Sequence, residues 1–352
     1  MKPVRTPATP ASLGYRMPAE WEPHAATWLS WPHNRESWPG KFEPVEPAYA
    51  EMVRALAESE AVHINVLDAA HEKHVEGLLL KAGIGGDIRL HRFPTNDAWC
   101  RDHGAIFVVR PGKDTPLAAI HCGYNAWGGK YPPYDRDVLI PERMAEALGV
   151  PRFPGGMILE GGSIEPNGAG AMLTSEQCLL NPNRNPQLSR ADIEQRLRDL
   201  FNLSQVLWLG DGIVGDDTDG HIDDLARFVA RDVVVTVIED NAADENYRAL
   251  RENRERLAGM RLAGGSPLKV VELPMPGPKY FDGQRLPASY ANFYIANRSV
   301  LLPVFGDPMD AEAERILRPL FPGRKVVPVQ CLDLVLGLGT VHCLTQQVPA
   351  VG

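Results

Sequence analysis

Two spacings of apolar residues alternate along the chain. Over residues 44–60, Tyr49, Met52, Val53 and Leu56 fall at i, i+3, i+4 and i+7, the stripe of a surface helix. The same stripe returns at Val75, Leu78, Leu79 and Ala82. It appears again at Ile193, Leu197, Leu200 and Phe201, where Ser189 followed by Asp192 predicts a capped start. Residues 245–257 and 311–320 also read as helices. Val62, Ile64 and Val66 alternate as in a strand, and short β-rich runs at 105–109, 233–238, 290–295 and 300–304 predict further strands. The runs 163–166 and 171–174 flank Asn167-Gly168, a pair that suits a tight hairpin turn.

The resulting order of strand, strand, helix, strand, repeated with variation, predicts an α/β fold. No Pro/Gly/Ser linker divides it, so residues 19–352 are expected to form one domain. Residues 1–18, rich in Pro, Thr and Ala without periodicity, are expected to be a loose arm.

Composition narrows the function. At 352 residues, 44% hydrophobic and 23% charged, the chain suits a packed globular protein. No apolar run approaches the ~18 residues a membrane span needs, and the start lacks a hydrophobic signal region. A cytoplasmic protein without a membrane partner is therefore expected. Cys100, Cys122, Cys178, Cys331 and Cys343 are odd in number and never form a C-x-x-C pair, which argues against a disulfide frame or zinc knuckle. The net charge of −9, with no Lys/Arg cluster, argues against nucleic acid. An acidic surface suits a cationic small molecule and equally serves solubility.

Four segments set ionisable residues beside glycines at strand ends or loops. Residues 96–104 (NDAWCRDHG) combine Trp99 and Asp102, an aromatic wall and a carboxylate for a cation, and read equally as a polar turn. Glu160 precedes two glycines that would let a ligand approach backbone, or simply form a turn. Residues 211–224 crowd acids around His221, which is costly unless a cation, metal or substrate, sits there. On a strand, His221 and Asp223 would share a face, while Asp211, Asp216 and Asp219 read as turn residues. The spacing fits neither a calcium loop nor an H-E-x-x-H zinc motif. In residues 337–347 (GLGTVHCLTQQ), glycines and polar neighbours distinguish Cys343 from a buried apolar cysteine. His342 would face away from Cys343 on extended backbone, so His221 is the expected base.

With these segments in order, the sequence resembles the agmatine deiminase family, grouped with bacterial peptidylarginine deiminases in the guanidine-modifying, or pentein, superfamily. The matching strings are NDAWCRDHG at 96–104, NAWGG at 125–129, LEGGS at 159–163, NPNRNP at 181–186, DTDGHIDD at 217–224, NFYIA at 292–296 and HCLTQQ at 342–347. They span the chain from about Trp21 to its end. The resemblance implies Cys343 as nucleophile, His221 as general acid and base, Asp102 and Asp223 as guanidinium carboxylates, and Glu160 as a supporting carboxylate. It makes Trp99, Trp127, Asp217 and Gly339 substrate-binding, with Asp217 as partner for the agmatine ammonium. It implies no metal and no cofactor.

The implied fold is a β/α propeller of five ββαβ modules around a central channel, with pseudo-fivefold symmetry; a homodimer is compatible. Two departures stand out: Ala105 where proline follows the R-D-x-G string, and Leu338 within a glycine run. The implied activity is hydrolysis of agmatine to N-carbamoylputrescine and ammonia through an amidino-cysteine intermediate, on the route to putrescine. Three rivals remain open here: a peptidylarginine or free-arginine deiminase, a metal-dependent hydrolase, and a non-catalytic polyamine-binding module.

Overall fold

In the computed structural model, which describes residues 8–351, the alternation becomes five sheets of three or four strands and one two-stranded ribbon among the described residues. The first sheet carries β1 (His24–Ser30), β2 (Ala61–Asn65) and β3 (Ile88–His91), with α1 (Val45–Ala57) and α2 (Ala69–Lys81) between them. The second holds β4 (Ile106–Val109), β5 (Leu117–Gly123) and β6 (Arg152–Ile158), with α3 (Ile140–Leu148) before the last strand. The third has β7 (Glu165–Pro166), β8 (Ala171–Ser175), α4 (Arg190–Phe201) and β9 (Gln205–Leu209). The fourth has β10 (Ala226–Ala230), β11 (Val233–Ile238), α5 (Tyr247–Gly259) and β12 (Lys269–Pro274). A ribbon of β13 (Tyr280–Phe281) and β14 (Gln284–Arg285) precedes the fifth, made of β15 (Tyr294–Ile295), β16 (Ser299–Val304), α6 (Asp310–Leu317) and β17 (Lys325–Gln330). The last strand, β18 (Thr345–Pro349), returns to the first sheet beside β1.

One pairing rule runs through all five sheets. In β4-β5-β6, β7-β8-β9, β10-β11-β12 and β15-β16-β17 the first pair is antiparallel and the second parallel. The order β18-β1-β2 repeats it, with its two antiparallel strands drawn from opposite ends of the chain. A parallel pair requires a crossover, and a helix supplies it each time. The five connections that pass from one sheet to the next are left to carry polar chemistry.

The stripes read from the sequence face the core as expected. Tyr49, Met52, Val53 and Leu56 of α1 are fully buried, and so are Ile193, Leu197 and Phe201 of α4. A capping box between Ser189 and Asp192 opens α4, satisfying amide groups that the first turn leaves unpaired. Asp68 does the same for α2 by accepting from the Ala70 and His71 amides. No helix among the described residues is long and apolar enough to cross a membrane.

Three expectations need correction. Residues 1–7 of the expected arm lie outside the described residues, but residues 8–18 are docked. Tyr15 and Met17 are buried in the same apolar cluster as α4, Arg16 exchanges backbone hydrogen bonds with Val109, and the Met17 amide donates to Phe201 O. Two apolar side chains and an edge strand with spare hydrogen bonds anchor what composition alone made loose. The β7–β8 hairpin turns over Asn167 to Gly170 rather than at Asn167-Gly168. Gly168 and Gly170 take positive φ, and Asn167 accepts from the Ala169 and Ala171 amides instead of adopting one itself. The run 290–295 is extended only at Tyr294–Ile295, because Ser289 to Asn292 form a turn at the site described below.

Leu197→Ala should cost roughly 2–5 kcal/mol, the range for emptying a packed leucine site, and lower the denaturant midpoint accordingly. Leu80→Ala on α2, 81% exposed, should change stability by less than about 0.5 kcal/mol.

Candidate active site

All five sheet-to-sheet connections meet around one sulfur. The first delivers Asp102 on the single-turn helix Cys100–His103, and the second delivers Glu160 and Gly162. The third delivers His221 and Asp223, the fourth Asn292, and the last Cys343, two residues before β18. Hydrogen bonds knit these segments together. The Gly162 amide donates to Asp102 Oδ1 at 3.0 Å, and Trp127 Nε1 donates to Asp102 Oδ2 at 2.9 Å. His221 Nδ1 lies 3.8 Å from Asp102 Oδ1, and Cys343 Sγ lies 3.8 Å from Asp223 Oδ2. Asn292 Nδ2 donates to Cys343 Sγ at 3.2 Å, while its Oδ1 accepts from Thr340 Oγ1 at 2.8 Å and the His342 amide at 3.0 Å.

Glycine makes the crowding possible. A Cβ on Gly162 would stand 2.6 Å from His221 Nδ1 and 2.9 Å from both Asp102 Oδ1 and Asp223 Oδ2. A Cβ on Gly339 would stand 2.6 Å from the Trp99 ring and 3.0 Å from Cys343 Cβ. Residues 126–129 form a left-handed turn, with φ of 51° at Ala126 and 56° at Trp127. Such backbone costs a non-glycine residue roughly 1–2 kcal/mol. It is held by Asn125, whose Oδ1 accepts from the Gly128 amide at 2.9 Å, and it aims the Trp127 indole at Asp102. Leu338, the departure noted in the glycine run, also takes a left-handed conformation, at φ 68°. Ala105 is fully buried, and its amide faces Met144 Sδ.

The acidic loop folds for a related reason. Asp216 accepts from the amides of Thr218, Gly220 and His221, turning the chain so that Ile222 enters the core. Residues Ile222–Asp224 form a 3₁₀ turn rather than a strand, yet His221 and Asp223 still point to one place, beside Gly162. Asp219, expected to serve only the turn, binds Arg184 Nη1 at 2.6 Å, and Arg184 Nε reaches Glu160 Oε1 at 2.7 Å.

A cavity of about 680 Å³ opens onto this cluster, within the range of small-molecule sites. Trp99, Asp102, Trp127, Asp217, Gly339 and Cys343 line it. His221, Asp223 and Glu160 are fully buried and stand behind that lining. The β13–β14 ribbon supplies Phe281 and Gln284 to the rim, a contribution no sequence motif announced.

Burial and charge set the protonation states. Burial lowers the affinity of His221 for a proton, but Asp102, Cys178 and Asp223 outweigh it and hold the imidazole well above its usual range. Burial also raises Asp102; His221 opposes the rise, while Asp223 and Glu160 add to it. Both members are thus shifted upward, and His221 Nδ1 and Nε2 are both buried without a hydrogen-bond partner. Burial works to raise Asp223 as well, but His342 and His221 hold it below the usual carboxylate range. Burial, then Asp223, Asp224 and Asp102, push the Cys343 thiol well above its ordinary value.

Glu20, Arg184 and Asn292 were not singled out from the sequence, and His342 was weighed only as a base for Cys343 and set aside. The last three lie inside the strings HCLTQQ, NPNRNP and NFYIA, so their signal was present; Glu20 carried none. Among the described residues, Glu160, Cys178 and His221 bring donor atoms within 4.8 Å of one another, a grouping with metal-ligand character. Arg184 Nε holds Glu160 Oε1 at 2.7 Å, while Glu160 Oε2 is buried without a partner.

A sequence model of the Porphyromonas-type peptidyl-arginine deiminase family matches residues 16–349. The agmatine deiminase of Stutzerimonas stutzeri is 38% identical over 367 aligned residues, covering 97% of this chain and 98% of that one. The agmatine deiminase of Pseudomonas aeruginosa is 37% identical over 366, with the same shares covered. Among solved structures, agmatine deiminase of Enterococcus faecalis superposes with a TM-score of 0.90 at 34% identity, covering 97% of this chain and 98% of that one.

A thiol pushed upward reacts slowly with iodoacetamide at neutral pH, because only the thiolate attacks. Alkylation of Cys343, followed by mass spectrometry of its peptide, should accelerate about tenfold per pH unit through the neutral range. Asp102→Asn removes one of the raising charges and should accelerate it at fixed pH; an unchanged rate would contradict the electrostatic account.

Proposed function

The chain belongs to the Porphyromonas-type peptidyl-arginine deiminase family, and from that membership we propose that it is an agmatine deiminase, hydrolysing agmatine to N-carbamoylputrescine and ammonia. The observation that carries the reading is the convergence of Cys343, Asp102, His221 and Asp223 at the inner end of an acidic cavity.

A guanidinium is planar, strongly basic and resonance-stabilised, so its carbon resists attack until its charge is fixed and desolvated. Asp102 and Asp223 receive its N–H groups from two sides. Asp223 Oδ1 and Glu160 Oε2 are buried without hydrogen-bond partners, which suits atoms meant for ligand N–H groups. The arriving cation offsets the carboxylates that hold the Cys343 thiol protonated, so binding itself favours the thiolate. The sulfur attacks the guanidinium carbon, and the proton on His221 passes to departing ammonia. Water, deprotonated by His221, attacks the amidino-thioether; collapse releases the ureido product and returns the thiol.

The outer cavity favours agmatine over arginine. Its lining holds Glu36, Asp97, Asp137 and Asp217 and a single basic residue, Lys130. Lys130 is engaged with Asp219 Oδ1 at 2.7 Å and Asp217 O at 2.6 Å. An α-carboxylate would meet acids there, while the agmatine ammonium meets Asp217, whose carboxylate accepts from Tyr131 Oη. The five sheets with one pairing rule support reading the fold as five ββαβ modules around a central channel, with pseudo-fivefold symmetry. The role of Gly339 is to leave room between Trp99 and Cys343.

Cys343→Ala should abolish ammonia release while agmatine binding persists; full turnover by that variant would falsify the nucleophile assignment. His221→Asn should lower kcat about a hundredfold or more, since both half-reactions move a proton. Gly162→Ala should lower kcat/KM by at least about a hundredfold in a folded protein, because its methyl displaces three reacting groups. A substrate panel of agmatine, arginine and arginyl peptides, with products identified by mass spectrometry, decides specificity.

A further inference from the structure

Beneath Asp223 lies a buried chain of charge that the reaction as written does not use. His342 Nδ1 stands 2.7 Å from Asp223 Oδ2, and His342 Nε2 stands 2.7 Å from Glu20 Oε2. All three side chains are at most 3% exposed. Glu20 is held in turn by Arg227 Nη2 at 2.8 Å, Arg101 Nη2 at 3.3 Å and the Ile295 amide at 2.8 Å. Although burial opposes it, Arg227, His342 and Arg101 keep Glu20 well below the usual carboxylate range. Asp223 is likewise held low against its burial. His342 is thus bracketed by two carboxylates, one against each ring nitrogen. Arg227 extends the network to Glu165 at 2.7 Å, so that two arginines, one histidine and three carboxylates are in contact.

We propose that Glu20 and His342 are positioning residues that act through Asp223: Glu20 orients the His342 ring, and the ring pins Asp223 Oδ2, leaving Oδ1 as the oxygen that receives a guanidinium N–H. Three observations converge on this. Oδ2 is occupied by His342, whereas Oδ1 is buried without a partner. A carboxylate free to rotate about its bond to Cβ would present either oxygen, and two short hydrogen bonds in series remove that freedom. The Cys343 carbonyl also accepts from the Arg101 amide, and Arg101 holds Glu20, so the nucleophile and the positioning chain share a mount. Glu20 lies two residues beyond the docked segment 8–18.

The inference rests on the guanidine-hydrolase reading, and the test separates the two. In a Cys343→Ala background, which stops turnover, dissociation constants are measured by calorimetry for agmatine and for N-carbamoylputrescine. The latter has the same amine end but a neutral ureido head. Adding His342→Gln should weaken agmatine at least about tenfold, the scale of a lost charge-assisted hydrogen bond, and the ureido compound less than about twofold. Glu20→Gln is isosteric, keeps an oxygen for the Ile295 amide, and should shift the ratio of the two constants in the same direction by a smaller factor. If His342→Gln does not fold, Glu20→Gln decides by the same ratio. Equal weakening of both ligands, or of neither, would overturn the positioning role, since a merely structural contribution does not discriminate between heads of different charge. If Cys343→Ala alone fails to bind agmatine, the substrate reading itself is overturned.

Discussion

Carboxylates taken out of water must be paired, discharged or left waiting for a cation, and each stripped ion costs several kcal/mol until one of these happens. This chain buries Glu20, Asp102, Glu160, Asp223 and Asp224 around one thiol. Glu20 receives two arginines and a histidine, Glu160 receives Arg184, Asp223 receives His342, and Asp102 lies 3.8 Å from His221. Asp224 has no such cation: burial, then Asp223 and Asp216, push it well above its usual range. The oxygens left over are those a planar cation would reach. Until one arrives, the same field that will grip it keeps the sulfur quiet, which protects the thiolate from wasteful reactions.

The frame explains how so many acids come together without a dedicated domain. Each sheet-to-sheet connection contributes at least one polar group, and the connection between β9 and β10 carries most of the acids. The helices do the opposite work. Their buried stripes, such as Tyr49, Met52, Val53 and Leu56, supply apolar burial that sustains the polar centre.

Much of this was legible in the sequence because helix stripes and short motifs are local. The 3.6-residue spacing located α1, α2 and α4, and the Ser189–Asp192 pattern located a cap that the structure contains. Cys343, His221, Asp102, Asp223 and Glu160 were named from strings carrying both charge and glycine, and they do come together. Glu20 could not be found that way. It lies just past the segment whose composition reads as a loose arm, and its meaning depends on Arg101, Arg227 and His342, which are remote in sequence. His342 was set aside on the assumption of extended backbone, but residues 341–344 turn, which carries the ring sideways into the acids. The left-handed turn at Trp127 was also beyond reach, since two non-glycine residues adopt it only because Asn125, Asn183 and Asp102 hold it from outside.

The pairing of β18 with β1 has a temporal side. During translation, four of the five connections emerge and can fold against their own sheets before the last strand exists. Cys343 reaches the acids only when β18 pairs with β1, the most non-local pairing among the described strands and therefore among the slowest to form. A nascent chain thus carries its whole complement of negative charge but no reactive sulfur among it. The sulfur joins the acids with the pairing of β18 and β1 and not before.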